Sequence, residues 1–168
     1  MPGMWWVLGT VVLVAFGAAY LGWTSARVDR LHHRAAAAGR ALDAHLLRRA
    51  AAAAVLAEER GYATELYAAA RLALDAEPSE REAAENDLTR QLRRTALRLD
   101  DPPAAAVVAA SRRLALARQV HTDLVRDALF ARNRRIVRLF RMSRRHDRPG
   151  YFDIDDPTLA VQPDVPVR

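Results

Sequence analysis

The feature that most constrains this chain is its first 26 residues, which carry no charged side chain. Within them Trp5-Trp6-Val-Leu-Gly-Thr-Val-Val-Leu-Val-Ala-Phe-Gly-Ala-Ala-Tyr-Leu-Gly-Trp23 is an almost unbroken apolar run. As a helix it would span roughly 28 Å, close to the hydrocarbon thickness of a bilayer. Trp5 and Trp6 mark one end and Tyr20 and Trp23 the other, the placement expected of amphipathic rings at headgroup level. A core helix of a soluble domain needs no aromatics at both ends. A cleaved signal peptide is the rival reading, and Gly17-Ala18-Ala19 resembles a small-residue cleavage patch. Such peptides, however, place their basic residues before the apolar stretch. Here the first ones, Arg27 and Arg30, follow it and join the membrane-interface residues.

The same charges orient the segment. Arg27, Arg30, Arg34 and Arg40 crowd its C-terminal flank, and basic flanks stay on the cytoplasmic side. The expected arrangement is an inner-membrane protein with its N-terminus outside. Residues 1–26 form the anchor, with one transmembrane helix over about 5–23. Residues 27–148 form a cytoplasmic helical bundle, and residues 149–168 an extended or disordered acidic, Pro-containing tail. No second apolar run of comparable length exists, so the chain is read as single-pass.

Beyond the anchor the pattern is helical. Val28, Leu31, Ala35, Ala38, Leu42, Leu46, Ala53 and Leu56 recur at steps of three and four. Alanine-rich stretches favour helix and let helices approach closely. The first breaker is Gly61, after which Tyr62, Leu66, Tyr67, Ala70 and Leu74 continue the stripe. Whether residues 24–76 form one helix or two stays open on sequence, with Gly61 the one hint of a bend. Pro78 stops the run, and Ser79 with Glu82 has the form of a capping box opening a helix to about Leu99. Asp101-Pro102 starts a long last helix, with Asp101 as N-cap. Val107, Leu114, Val120, Leu124, Val125, Leu129, Ile136 and Phe140 mark its buried side, and Pro149-Gly150 its end. The fold class expected is all-α: a transmembrane helix followed by an antiparallel bundle of three to four long helices.

Composition removes several function classes. There is no cysteine, hence no disulfide framework, thiolate nucleophile or Cys-ligated zinc. The histidines His32, His33, His45, His121 and His146 show no chelating spacing, and Glu58-Glu59 and Asp155-Asp156 read as solvated charge. No His-Glu-x-x-His, Gly-rich phosphate loop or Gly-x-Ser-x-Gly is present. No catalytic residue, metal site or cofactor is expected, and the chain is read as a non-enzyme.

All 26 basic side chains are Arg, against 20 acidic residues, and the net charge is +6. On one continuous helix Arg134, Arg138, Arg141, Arg145 and Arg148 would share a face. A solvated outer face is the blandest reading. Anionic lipid headgroups are a second, since each basic residue near such a surface contributes about 1 kcal/mol. Nucleic acid is less favoured, for lack of an aromatic platform. The tail Tyr151-Phe-Asp-Ile-Asp-Asp156 could also fold back onto the strip. Arg134, Arg138, Arg141 and Arg145 are thus the candidate anion-binding residues.

Several short motifs resemble the LemA family of membrane proteins. Arg27-Val-Asp-Arg-Leu31 follows the anchor, and Ala41-Leu-Asp-Ala-His-Leu-Leu-Arg-Arg49 is similar to that family's I-D-x-x-L-x-R-R element. Gly61-Tyr62-Ala63 resembles its G-Y-A. Leu116-Ala-Arg-Gln-Val-His-Thr-Asp-Leu-Val-Arg126 resembles its A-R-x-x-Y-N-x-x-V helix, and Tyr151-Phe152 its terminal aromatic. With Glu85-Asn-Asp-Leu-Thr-Arg-Gln-Leu92 the chain looks most like an Ala- and Arg-rich actinobacterial branch. His121-Thr122 departs from the family's Tyr-Asn, and the Pro-Asn after the Arg-Arg element is missing. The resemblance implies a four-helix bundle on an anchor and no chemistry. The resulting expectation is a membrane-anchored scaffold or protein-interaction module with a protein partner, or a second copy of the chain. The alternative is peripheral binding of anionic lipid or nucleic acid through the Arg strip.

Overall fold

A computed structural model describes residues 3–61, 64–140 and 147–160. Every regular element among them is a helix: α1 (Gly3–Arg60), α2 (Thr64–Asp75), α3 (Arg81–Arg94), α4 (Pro102–Arg132) and the short α5 (Arg135–Leu139). One helix, α1, is long and apolar enough near its start to cross a membrane, and none of that apolar window is buried within the protein. The chain divides into two units, residues 1–36 with 124–150, and residues 37–123 with 151–168.

The first unit has a small core. Val28 and Val137 pack with Ala131 and the half-buried Leu31. A neighbouring cluster joins Ala35 to Val125 and Ala128. The second unit holds the larger core, where Ala50, Ala53, Leu56 and Ala57 of α1 meet Leu66, Ala69, Ala70 and Ala73 of α2. Ala84, Leu88 and Leu92 of α3, Ala104, Val107 and Val108 of α4, and Ala76 and Leu97 from the connecting segments complete it. Leu42, Leu46 and Leu114 form a second cluster, into which Ile154 of the tail inserts. Alanine dominates because a methyl group lets helix backbones approach closely while supplying no side-chain entropy cost.

Gly61, the one hint of a bend in a stretch left open between one helix and two, is where α1 ends. Gly61 has φ +59°, the left-handed conformation that terminates helices and that a Cβ penalises. A Cβ there would meet no atom within 4 Å, so the penalty is purely conformational. Gly61→Ala therefore costs about 1 kcal/mol in urea unfolding, with an unchanged helical CD spectrum. A neutral or stabilising substitution would mean that the turn does not depend on that conformation.

Three helix boundaries differ from expectation. The first is the end of α3, which stops at Arg94 rather than about Leu99 because Thr95 takes extended backbone. The N-cap of α3 is Glu80, in αR geometry with no side-chain cap bond, rather than Ser79. A capping side chain needs extended backbone at the cap, whereas Glu77 to Glu80 close a turn through the Glu80 N–H and the Glu77 carbonyl at 2.9 Å. Glu82 is engaged elsewhere: its Oε1 accepts the Asp153 N–H at 2.9 Å. The last helix, expected to run to Pro149-Gly150, stops at Arg132. The Asn133 N–H reaches the carbonyls of both Leu129 and Phe130, and the Arg134 N–H that of Ala131, which tightens the final turn.

The start of α4 follows the sequence, with Pro102 as its first residue and the Ala105 N–H on the Asp101 carbonyl at 2.9 Å. The Asp101 carboxylate pairs with Arg60. The buried face of α4 keeps Val107, Leu114 and Val125, but Val120 and Phe140 are exposed, while Leu124 and Leu129 are half-buried. Ala104, Val108, Ser111, His121, Ala128 and Ala131 take the remaining buried positions. Ile136 lies among residues whose side chains are not described.

Candidate functional site

Three arrangements concentrate polar or unusual chemistry. The first is the apolar start of α1. Trp5 and Trp6 are 78% and 81% exposed, and Tyr20 and Trp23 about half exposed. Tyr20 and Trp23 rings lie 6.3 Å apart, and the Arg27 guanidinium sits 5.8 Å from the Trp23 centroid. That contact suits a boundary where a cation meets an amphipathic ring. Arg30 is exposed one turn further on. The hydroxyls within and just after the run are satisfied internally: Thr10 donates to the Trp6 carbonyl and Thr24 to the Tyr20 carbonyl, both at 2.8 Å. Internal satisfaction is what hydrocarbon demands of a polar group.

The second is a charged centre inside the second unit that sequence reasoning missed. Arg49 of α1 and Glu85 of α3 are fully buried, and Thr89 nearly so. Arg49 Nη2 donates to Glu85 Oε2 at 2.6 Å, to Thr89 Oγ1 at 2.9 Å and to the Glu85 carbonyl at 3.1 Å. The Thr89 hydroxyl in turn donates to the Glu85 carbonyl at 2.8 Å. Burial pushes the Glu85 carboxyl above its ordinary value, against the pull of the Arg49 charge and hydrogen bond. Arg49 Nε and Nη1 and Glu85 Oε1 have no hydrogen-bond partner among the described residues. A centre closed to solvent cannot take a substrate, so its consequence is mechanical: it ties α1 to α3. The available signal was register, since position 49 lies three residues beyond Leu46 and four before Ala53, on the apolar stripe.

His121 is the other buried ionisable group of note, 8% exposed on α4. Its ring packs beside Gly39, where an added Cβ would stand 3.7 Å from Nε2, at ordinary contact distance. Burial lowers the imidazole pKa, opposed by the charge of Asp43. Because the folded ring binds its proton less readily than the unfolded one, this group's contribution is present above the ordinary imidazole value. It is lost as pH falls through that value toward the folded one. Urea midpoints should therefore drop between pH 7.5 and pH 5.5, and His121→Gln should flatten that slope. An identical slope in the variant would assign the effect to other groups.

The third is the Arg strip. Arg134 lies in the bend after α4, exposed, its guanidinium 5.9 Å from the Phe130 ring. Arg138 falls in α5, and Arg141 and Arg145 lie outside the described residues. The bend at Asn133 interrupts the helical register on which a common Arg face depended. Arg148 follows in non-helical chain. The tail's partners lie on α3 and α4: Arg93 Nη2 donates to the Asp156 carbonyl at 2.7 Å, and Arg118 stands 4.0 Å from Asp153. Among the described residues no three His, Asp or Glu side chains are grouped to hold a metal ion. No family model, curated protein or solved structure matches this chain.

Proposed function

We propose that the chain is a single-pass, membrane-anchored scaffold or protein-interaction module without enzymatic activity, its N-terminus outside and its soluble helices an antiparallel bundle in the cytoplasm. The observation that carries this is the apolar start of α1, none of which is buried. An aromatic-flanked surface of that extent has a place in a bilayer and none in water. The arginines C-terminal to it support the orientation.

Packing in the second unit supports the bundle. Leu42 and Leu46 cluster with Leu114, whereas Ala50 to Ala57 cluster with Ala104 to Val108. Numbering on α4 falls as that on α1 rises, as antiparallel neighbours require. The LemA-like motifs favour the same architecture. The scaffold reading draws on a core of aliphatic packing closed around one sealed ion pair.

The test is affinity purification from native membranes in mild detergent, washed at low and then high salt. A scaffold keeps a protein partner through the high-salt wash. Anionic lipid or nucleic acid released by salt, and lost when Arg134, Arg138 and Arg141 are neutralised, would replace this reading with the Arg-strip alternative.

A further inference from the structure

Residues 151–160 form no helix or strand, yet they are closely held. Ile154 is 3% exposed, in the cluster of Leu42, Leu46 and Leu114, with Phe152 packed against it. Pro157 is buried, and Leu159 packs against the larger core of the same unit. What holds the backbone is a row of side chains on α3. Glu82 Oε1 accepts the Asp153 N–H at 2.9 Å, and Asn86 Oδ1 the Asp155 N–H at 2.8 Å. Arg93 donates to the Asp156 carbonyl at 2.7 Å.

The spacing explains the fit. Residues 82 and 86 are one turn apart, a rise of about 6 Å, and 93 lies close to two further turns along the same face. Alternate N–H groups of an extended chain repeat every ~6.6 Å. A helix face with acceptors four residues apart thus matches alternate N–H groups of an extended peptide. These bonds read backbone atoms that any extended polypeptide offers. The side-chain demands are fewer: an aliphatic group in the Leu42–Leu46–Leu114 socket, an aromatic two residues before it and a proline three after. Of the acidic residues between them, Asp153 stands 4.0 Å from Arg118. Asp156 is held ionised first by hydrogen bonds from the Thr158 hydroxyl and N–H, to which the charges of Arg93 and Arg118 add a smaller pull.

We propose that this surface of α1, α3 and α4 is a peptide-binding groove, and that Phe152–Pro157 is a ligand the chain carries for it. Its external partner is a second protein presenting an extended segment of the pattern aromatic-x-aliphatic-acidic-acidic-proline. The proposal rests on the interaction-module reading and names the surface that does the interacting. The tail then acts as a competitor in cis, whose effective concentration, on the order of millimolar for a short tether, sets the affinity a partner must exceed.

The experiment uses the full chain in detergent micelles, a variant ending after Gly150, and a fluorescent synthetic peptide of residues 151–160 followed by anisotropy. The peptide binds the tail-less variant saturably and the full chain about 100-fold more weakly, the ratio expected of a millimolar competitor against a peptide of ~10 μM affinity. Ile154→Asp in the peptide weakens binding at least about 100-fold, since a carboxylate cannot enter the aliphatic socket. Asn86→Ala with Arg93→Ala in the tail-less variant weakens it about 10-fold by removing backbone contacts. No binding to a tail-less chain that keeps its helical CD spectrum would overturn the proposal. So would equal binding to both chains, or loss of helix on truncation, which would make the tail an integral part of the core. Ile154→Asp in the full chain provides a second route: it should expose the groove and admit the wild-type peptide, and continued exclusion counts against the proposal. Peptide binding without a salt-resistant partner in the purification would remove the scaffold reading and leave the groove standing. The converse result would remove the groove alone.

Discussion

Replacing Arg49 with alanine is expected to destabilise the second unit by about 3–5 kcal/mol, the range found when one partner of a buried ion pair is removed. The reason is less the lost attraction than what remains. Glu85 would be a buried carboxylate deprived of its guanidinium, and Thr89 would lose the donor on its hydroxyl. The lost packing of a fully buried side chain adds to this. The pH dependence separates the two contributions. Burial already pushes the Glu85 carboxyl up, and without Arg49 nothing of comparable strength opposes it. The folded variant then favours protonated Glu85, so its deficit should shrink as pH falls through the raised value and widen as pH rises. Arg49→Leu combined with Glu85→Leu should recover most of the loss, because apolar replacement of a whole buried pair is often neutral. Urea unfolding of the full chain in micelles, followed by helical CD, measures all three. A cost of Arg49→Ala below about 1 kcal/mol, the range of solvent-exposed pairs, would show that the centre is not sealed as described.

Arg49 also shows where sequence reading stops. The stripe on α1 was legible because its members are aliphatic or alanine at helical spacing, and Val28, Ala35, Leu42, Leu46, Ala53 and Leu56 are all buried. Arg49 belongs to the same stripe, but a charged residue is read by polarity before register, and its partner is 36 residues away on another helix. Polarity misleads on α4 as well: Val120 looks like core and is exposed, while His121, one residue on, is buried. The ring packs beside Gly39, where an added Cβ would stand 3.7 Å from Nε2, at ordinary contact distance.

Local chemistry was a better guide where the backbone itself sets the outcome. Gly61 ends α1 because only left-handed geometry closes that turn, and Pro102 opens α4 where its missing N–H is harmless. Ser79 does not cap α3 because the Glu77–Glu80 turn leaves Glu80 in αR geometry at the helix start. Glu82, the other half of the box, holds the backbone of the tail instead. The tail carried acidic residues and prolines, the composition of an unstructured end, yet Ile154 finds a socket that no local pattern announces. The Arg strip depended on a single helix continuing past Asn133, and that continuity is absent.

Two arginines placed in the apolar start of α1, Val12→Arg with Phe16→Arg, should release the protein from membranes. Each arginine at the centre of a span costs about 2.5–3.5 kcal/mol on insertion scales. Residues 12 and 16 are one turn apart, so both charges enter hydrocarbon on the same face and cannot both reach an interface. Alkaline carbonate extraction should leave the unaltered protein in the pellet and move the variant to the supernatant. Urea unfolding of the second unit should be unchanged, since Val12 and Phe16 are exposed and contribute to neither unit's core. Leu116→Arg, at an equally exposed position on α4, is the control, and it should leave membrane association intact. A variant still retained in the pellet would refute the anchor, because no other helix among the described residues is long and apolar enough to replace it. N-terminal sequencing of the membrane-bound protein separates the remaining rival. An anchor retains Trp5 and Trp6, whereas a cleaved signal peptide leaves a mature chain that begins beyond Gly17-Ala18-Ala19 and lacks both.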